Sequence, residues 1–395
     1  MRENSAPGAP ARPGAIPLCV PEIAGNEWAY IKECLDTNWV SSVGPFVDRF
    51  EQDVAARVDA GFAVAAVSGT AALHTALLAA GVAPDEEVIV PSLTFIAPVN
   101  AIRYVGAEPV FMDSEGSHWQ MDMQKLSDFL ERQCTWHQGK LRNRNSGRRI
   151  AAAIAVHILG HACELDAFWE VVGRYELVTV EDAAEALGVS YRSTHVGSAS
   201  HVSCFSFNAN KIVTAGGGGM LLTGDQRVAA RARALINQAK ADSPEFVHTD
   251  VGYNYRLSNL QAALGCAQLS HLDEHIERKR QLARRYRRAL AESDGFTALA
   301  EQEHIEATHW MPTVLVDEAT FGQDSRQLLN QLQQHGIETR PLWQPAHLSS
   351  VYADCETYHC DISERLHQKA LSLPCSVGLS DADQNRVIET IRAVR

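Results

Sequence analysis

The residues best suited to chemistry in this chain fall in a few short segments. Asp182 closes the apolar run ELVTVED, and Lys211 follows 29 residues later in FSFNANK, just before IVTAGGGGM. A carboxylate that ends a buried strand costs several kcal/mol unless it is paired. Asp182 therefore calls for a helix N-cap role on the segment that starts at Ala183, or for a buried cation. A cofactor nitrogen kept protonated would be such a cation. Lys211 has three readings: a surface charge before a turn, a phosphate-binding lysine, or a covalent handle for a cofactor. The phosphate-loop pattern needs glycines before the lysine and Ser or Thr after it. Here the glycines, at 216–219, come after, and Ile212 follows directly, which excludes that class. A lysine that closes a strand inside an α/β sheet can be partly desolvated, and a lowered pKa makes it a nucleophile toward carbonyls.

Two further segments complete the set. In SGTAALHTALLAAG, the small residues Ser68, Gly69, Thr70 and Ala71 open a helical pattern, where free N–H groups and the helix dipole face an anion. Phe95, in PSLTFIAP, lies beyond another strand and can either stack on a planar ring or pack in the core. Together the segments describe a planar, phosphorylated, nitrogen-containing ring that forms an imine with lysine. Pyridoxal 5′-phosphate (PLP) meets each demand.

These residues need a scaffold. AVAAV, EEVIVPS, EPVFMD, AAAIAVHILG and ELVTVED read as strands that alternate with the helical patterns AALHTALLAAG, TFIAPVNAIRYVG and LDAFWEVVGRY. That alternation implies βαβ units and a mostly parallel sheet, with ligands at the carboxyl ends of its strands. The polar segment GKLRNRNSGRR (139–149) reads as an exposed loop or hairpin before the strand near Ile150. Residues 257–290 read as one helical stretch connecting two domains, followed by a smaller α+β domain. The expected division is a disordered leader over 1–15, a large PLP-binding domain over 16–265 and a small domain over 266–395.

Composition narrows the classes. With 46% hydrophobic and 21% charged residues the chain is an ordinary globular one. A net charge of -13 argues against nucleic acid as a main partner. The nine cysteines include no CxxC pair and fit reduced thiols. No apolar run approaches the ~20 residues that span a bilayer, and the first residues lack the apolar centre of a secretory signal. A cytoplasmic protein is expected.

SGTAAL, VEDAAEALG, FSFNANK with GGGGM, and VGYNYRLSNLQAALG resemble the DegT/DnrJ class of sugar-nucleotide aminotransferases across nearly the whole chain. The resemblance implies PLP-dependent transferase fold type I (aspartate aminotransferase-like), with Lys211 as the cofactor-bearing lysine and Asp182 on the ring nitrogen. It implies Gly69, Thr70 and Ser206 around the cofactor phosphate, Phe95 against the ring, and Glu185 in contact with cofactor or substrate. Asn254 would reach the phosphate of the neighbouring subunit in a homodimer. Lysine at 211, where a dehydratase branch has histidine, points to transamination. Ala209 departs from the usual glycine of SFNGNK and bears on the geometry of that turn. The amino-terminal segment and the basic insert resemble enzymes that aminate C4 of a nucleotide-linked 4-keto-6-deoxy N-acetylhexosamine with L-glutamate as donor. The rival readings are another fold type I PLP enzyme with a non-sugar substrate and a PLP-binding regulator. Metal sites at His271/His275 and at His157/His161/Cys163 are weak readings. His161 is expected to face the cofactor pocket, and Arg340 is either a ligand for a substrate anion or a surface arginine.

Overall fold

The computed structural model describes residues 14–241 and 244–394. The expected leader, 1–15, lies outside the described residues except for Gly14 and Ala15.

Eight strands form the central sheet in the order Phe62–Ala66, Gly219–Thr223, Val202–Ser206, Val178–Asp182, Ile150–Val156, Glu87–Pro91, Glu108–Met112 and Thr357–Tyr358. From Val202–Ser206 onward every neighbouring pair is parallel. Gly219–Thr223 runs antiparallel to both of its neighbours. The sheet is therefore mostly parallel, and Ile150–Val156 and Glu87–Pro91 are buried along their whole length, as expected of parallel strands covered on both faces. The helix Gly69–Ala79 starts at Ser68, whose side chain accepts the Ala71 N–H. Residues 71–77 of that helix are all buried, so it runs through the core rather than along the surface. Its first turn sits tightly against the sheet. A Cβ on Gly219 would fall 2.4 Å from the Ser68 carbonyl oxygen.

The segment 139–149 forms the second arm and exit of a hairpin, Cys134–His137 with Lys140–Asn143. Its turn places Gln138 and Gly139 at positive φ, the backbone that a two-residue hairpin requires. The single helix expected over 257–290 is two helices, Asn259–Leu269 and Leu272–Ala291. Each carries its own start signals. Ser258 and Gln261 form a capping box on the first, and Asp273 and Glu274 place negative charge in the first turn of the second.

A second, four-stranded antiparallel sheet follows the order Phe296–Ala298, Thr313–Val316, Ala370–Ser372 and Arg340–Pro341. It packs with Leu282, Tyr286, Leu328 and Val387 in its own core, which also takes in Ile16. The two layers interlock, because Thr357–Tyr358 returns from this part of the chain to the edge of the large sheet.

Candidate active site

A cavity of about 350 Å³ opens at the carboxyl ends of the central strands. Gly69, Thr70, Phe95, Asp182, Glu185, Ser206 and Lys211, separated by up to 142 positions in sequence, all line it. Parallel strands explain the convergence, since each carboxyl end delivers its next residues to the same edge. Asn254 does not line this cavity; it is exposed on its own chain and bridges to Asn237.

The lysine loop is held at several points. Phe207 N donates to Gly218 O at 2.9 Å and Ala215 N to Phe207 O at 2.9 Å, which closes the loop at its base. His275 Nδ1 donates to Ile212 O at 3.1 Å, and Trp310 Nε1 to Asn210 O at 2.8 Å. Ala209 adopts no positive φ, so this turn has no need of the glycine usual in SFNGNK. Lys211 Nζ lies 3.1 Å from Glu185 Oε1 and 4.0 Å from the centre of the Trp310 ring. Glu185 is fixed in turn, its Oε2 accepting the Leu159 N–H at 2.9 Å. The carboxylate and the aromatic face together hold the ammonium in one place.

Asp182 is 4% exposed and its Oδ1 accepts the Ala184 N–H at 3.0 Å. That hydrogen bond is local to the turn, as in a capping aspartate. Burial pushes the carboxyl up to about 6, with the Glu185 charge adding to the rise and the Ala184 N–H and Lys211 opposing it. Lys211 is paired with Glu185, so Asp182 has a buried negative charge that a further cation would stabilise.

Two wall residues carry no signal in the sequence: Trp310 and Trp343 come from the C-terminal part of the chain. Thr94 also lines the cavity, from the turn before Phe95. His161, expected to face this cavity, does not line it. Leu159 and Gly160 take positive φ and turn the chain, so that His157 reaches the cavity while His161 packs edge-on against His309, 4.8 Å between ring centres. His157 Nδ1 accepts the Cys163 N–H at 3.1 Å and its Nε2 donates to Glu181 Oε2 at 2.9 Å; burial opposes a charge on this ring, but its Cys163 and Glu181 partners outweigh it and raise the ring to about 10. Arg340 is exposed, pairs with Glu338 and lies outside the cavity wall.

The residues fit PLP on four counts. Ser68 caps the Ala71 and Ala72 N–H groups, which leaves those of Gly69 and Thr70 at the helix start beside Ser206 in the cavity wall. A Cβ on Gly69 would come within 2.9 Å of the Ser206 Cβ, so glycine alone lets the helix start so near that strand. Asp182 awaits a cation, and Thr94 Oγ1 is buried in the wall without a hydrogen-bond partner. The primary amine of Lys211 stands in the same space.

The model of the DegT/DnrJ/EryC1/StrS aminotransferase family matches residues 21–392. The GDP-perosamine synthase of Caulobacter vibrioides is 37% identical over 383 residues, covering 96% of this chain and 98% of that protein. The GDP-perosamine synthase of Escherichia coli O157:H7 is 35% identical over 376 residues, covering 95% and 97%. The structure of DesI, solved in the presence of its TDP-sugar product, is similar with a TM-score of 0.86 at 30% identity, covering 98% of this chain and 94% of that one.

Proposed function

We propose that this chain, which belongs to the DegT/DnrJ/EryC1/StrS aminotransferase family and is a PLP-dependent sugar-nucleotide aminotransferase, aminates C4 of a nucleotide-linked 4-keto-6-deoxy hexosamine with L-glutamate as donor. The observation that carries this reading is the placement of the Lys211 amine between the Glu185 carboxylate and the Trp310 ring, in the cavity that Asp182 also lines. The names of the two perosamine synthases favour a GDP carrier.

PLP supplies an electron sink when bound. The protein does the rest. The helix start at Gly69 and Thr70, with Ser206, holds a phosphate dianion. Asp182 sets its charge against a protonated ring nitrogen. Trp310 is a buried apolar wall that limits water, and Phe95, exposed at the cavity mouth of the single chain, lies against the cofactor ring. Lys211 Nζ takes the donor's α-proton and later delivers a proton to the sugar carbon, a role worth roughly 10²–10⁴ in rate. Glu185 aims that amine.

Asn254 is the residue that needs a second subunit. It lies in a segment that also exposes Phe246, Val247 and Val251, as expected of a face covered in a homodimer. Mixed dimers of Lys211→Ala and Asn254→Ala subunits then recover activity that neither variant has alone, because one of their two sites is intact. No helix among the described residues is long and apolar enough to cross a membrane, in keeping with a cytoplasmic enzyme.

The test is amination itself. Purified enzyme with PLP and L-glutamate is offered GDP- and UDP-linked 4-keto-6-deoxy sugars, with and without a 2-acetamido group, and products are weighed by mass spectrometry. The proposal expects one amino sugar and one 2-oxoglutarate per turnover. Transfer to simple keto acids with every nucleotide sugar left unchanged would overturn it.

A further inference from the structure

Behind the lysine loop a second lysine is buried without a carboxylate among its hydrogen-bond partners. Lys279 is 1% exposed. Its Nζ donates to the carbonyls of Cys375, at 2.6 Å, and Trp310, at 3.0 Å. The remaining contacts are two sulfurs, Cys19 Sγ and Cys375 Sγ, each at 3.4 Å. A buried ammonium held only by neutral groups is costly, and a thiolate is the one anion these neighbours can supply. Cys19 is the accessible member: it is half-buried and borders a small cleft with Glu22, Lys211, His275 and Lys279, whereas Cys375 is fully buried. The backbone holds the two cysteines side by side, since Cys375 N donates to Leu18 O at 2.6 Å and Val20 N to Ser376 Oγ at 3.0 Å.

We propose that Cys19 and Cys375, organised by Lys279, form a redox-active thiol pair that a peroxide converts to a disulfide. The Cys19 thiolate attacks one peroxide oxygen, the O–O bond breaks, and hydroxide or alkoxide leaves. Cys375 then attacks the resulting sulfenic sulfur, giving the disulfide and water. Two thiols lose two electrons in total and the peroxide gains them. Hydrogen bonding from Cys375 and the Lys279 charge outweigh burial and bring the Cys19 thiol down to about 6. Lys211 adds a smaller attraction from the same side, and His275 and Glu22 are the other titratable groups across the cleft. Cys34, Cys134, Cys204, Cys266 and Cys360 are buried thiols pushed upward, half-buried Cys355 is pushed upward too, and Cys163 is buried, which favours reaction at Cys19. The site also abuts the catalytic loop. Cys19 Sγ contacts Asn210 O at 3.6 Å, and Lys279 holds the Trp310 carbonyl.

The experiment uses PLP-loaded enzyme. Iodoacetamide labelling followed by peptide mass spectrometry is run from pH 5 to 9, before and after hydrogen peroxide. Cys19 is expected to be modified at pH 7 about two- to threefold faster than an ordinary exposed thiol, the larger thiolate fraction being partly offset by lower nucleophilicity, with its rate half-maximal near pH 6. After peroxide, a Cys19–Cys375 linked peptide two hydrogens lighter is expected, cleaved by dithiothreitol. In Cys375→Ser the linked peptide is replaced by a dimedone adduct on Cys19. A Cys19 rate that is half-maximal above pH 8 would overturn the proposal. So would peroxide treatment that leaves Cys19 fully alkylatable, or that leaves Cys375 free while Cys19 is oxidised. The pH profile needs no variant, so misfolding cannot mask it.

Discussion

Replacing Asp182 by Asn should make the cofactor-free protein more stable at neutral pH while it weakens the cofactor site. Burial raises the Asp182 carboxyl from its ordinary 3.8 to about 6. Between those two values the folded state holds a proton that the unfolded state has lost, so stability falls as pH rises through the window. Above pH 6 the whole penalty stands, about two pKa units or roughly 3 kcal/mol. Asparagine has no charge to desolvate, and its Oδ1 can still accept the Ala184 N–H that Asp182 accepts. Urea unfolding of the cofactor-free proteins should show Asp182→Asn ahead by about 3 kcal/mol at pH 7.5. The margin should shrink below pH 6 and close toward pH 4. PLP should reverse the order, because only the aspartate gains from a cationic ring nitrogen; roughly 3 kcal/mol is about a hundredfold in cofactor affinity. An advantage independent of pH, or none at pH 7.5, would refute the argument that Asp182 is a buried charge awaiting a partner.

Other substitutions probe the same cavity. Thr94→Val removes a buried hydroxyl that has no partner, so the cofactor-free enzyme should keep its stability or gain up to about 1 kcal/mol. Its affinity for cofactor or sugar nucleotide should fall about three- to tenfold, and equilibrium titration showing neither affinity changed would remove Thr94 from the ligand site. Gly219→Ala drives a Cβ to 2.4 Å from the Ser68 carbonyl and 2.6 Å from Gly69 N. Thermal unfolding should register a loss of about 1–3 kcal/mol, together with weaker PLP binding because the start of the helix is displaced; unchanged values for both would contradict the close approach. Lys211→Ala should fold, as judged by circular dichroism, and lose turnover by at least about 10²-fold; retained activity in a steady-state assay would refute the role of that amine.

Much of this site was legible in the sequence for a simple reason. Asp182 ends a strand, Lys211, Gly69, Thr70 and Phe95 come shortly after one, and a parallel sheet brings such positions to one edge. Trp310 and Trp343 were not, because they reach the cavity from the C-terminal layer with no local motif; Trp310 bonds to Asn210 across 100 residues. His161 was misplaced because nothing in HILGHAC announces the positive φ at Leu159, a residue type that seldom adopts it. The break at Ser270 and His271 escaped notice since neither residue stops a helix outright.

The most direct test of the central claim traps the cofactor on the protein. Enzyme loaded with PLP is reduced with borohydride and digested, and the pyridoxyl-bearing peptide is sequenced by mass spectrometry, with and without prior L-glutamate. The account predicts one label, on Lys211, that disappears after glutamate and returns when a nucleotide-linked keto sugar is added. A label on another lysine, or none, would contradict it.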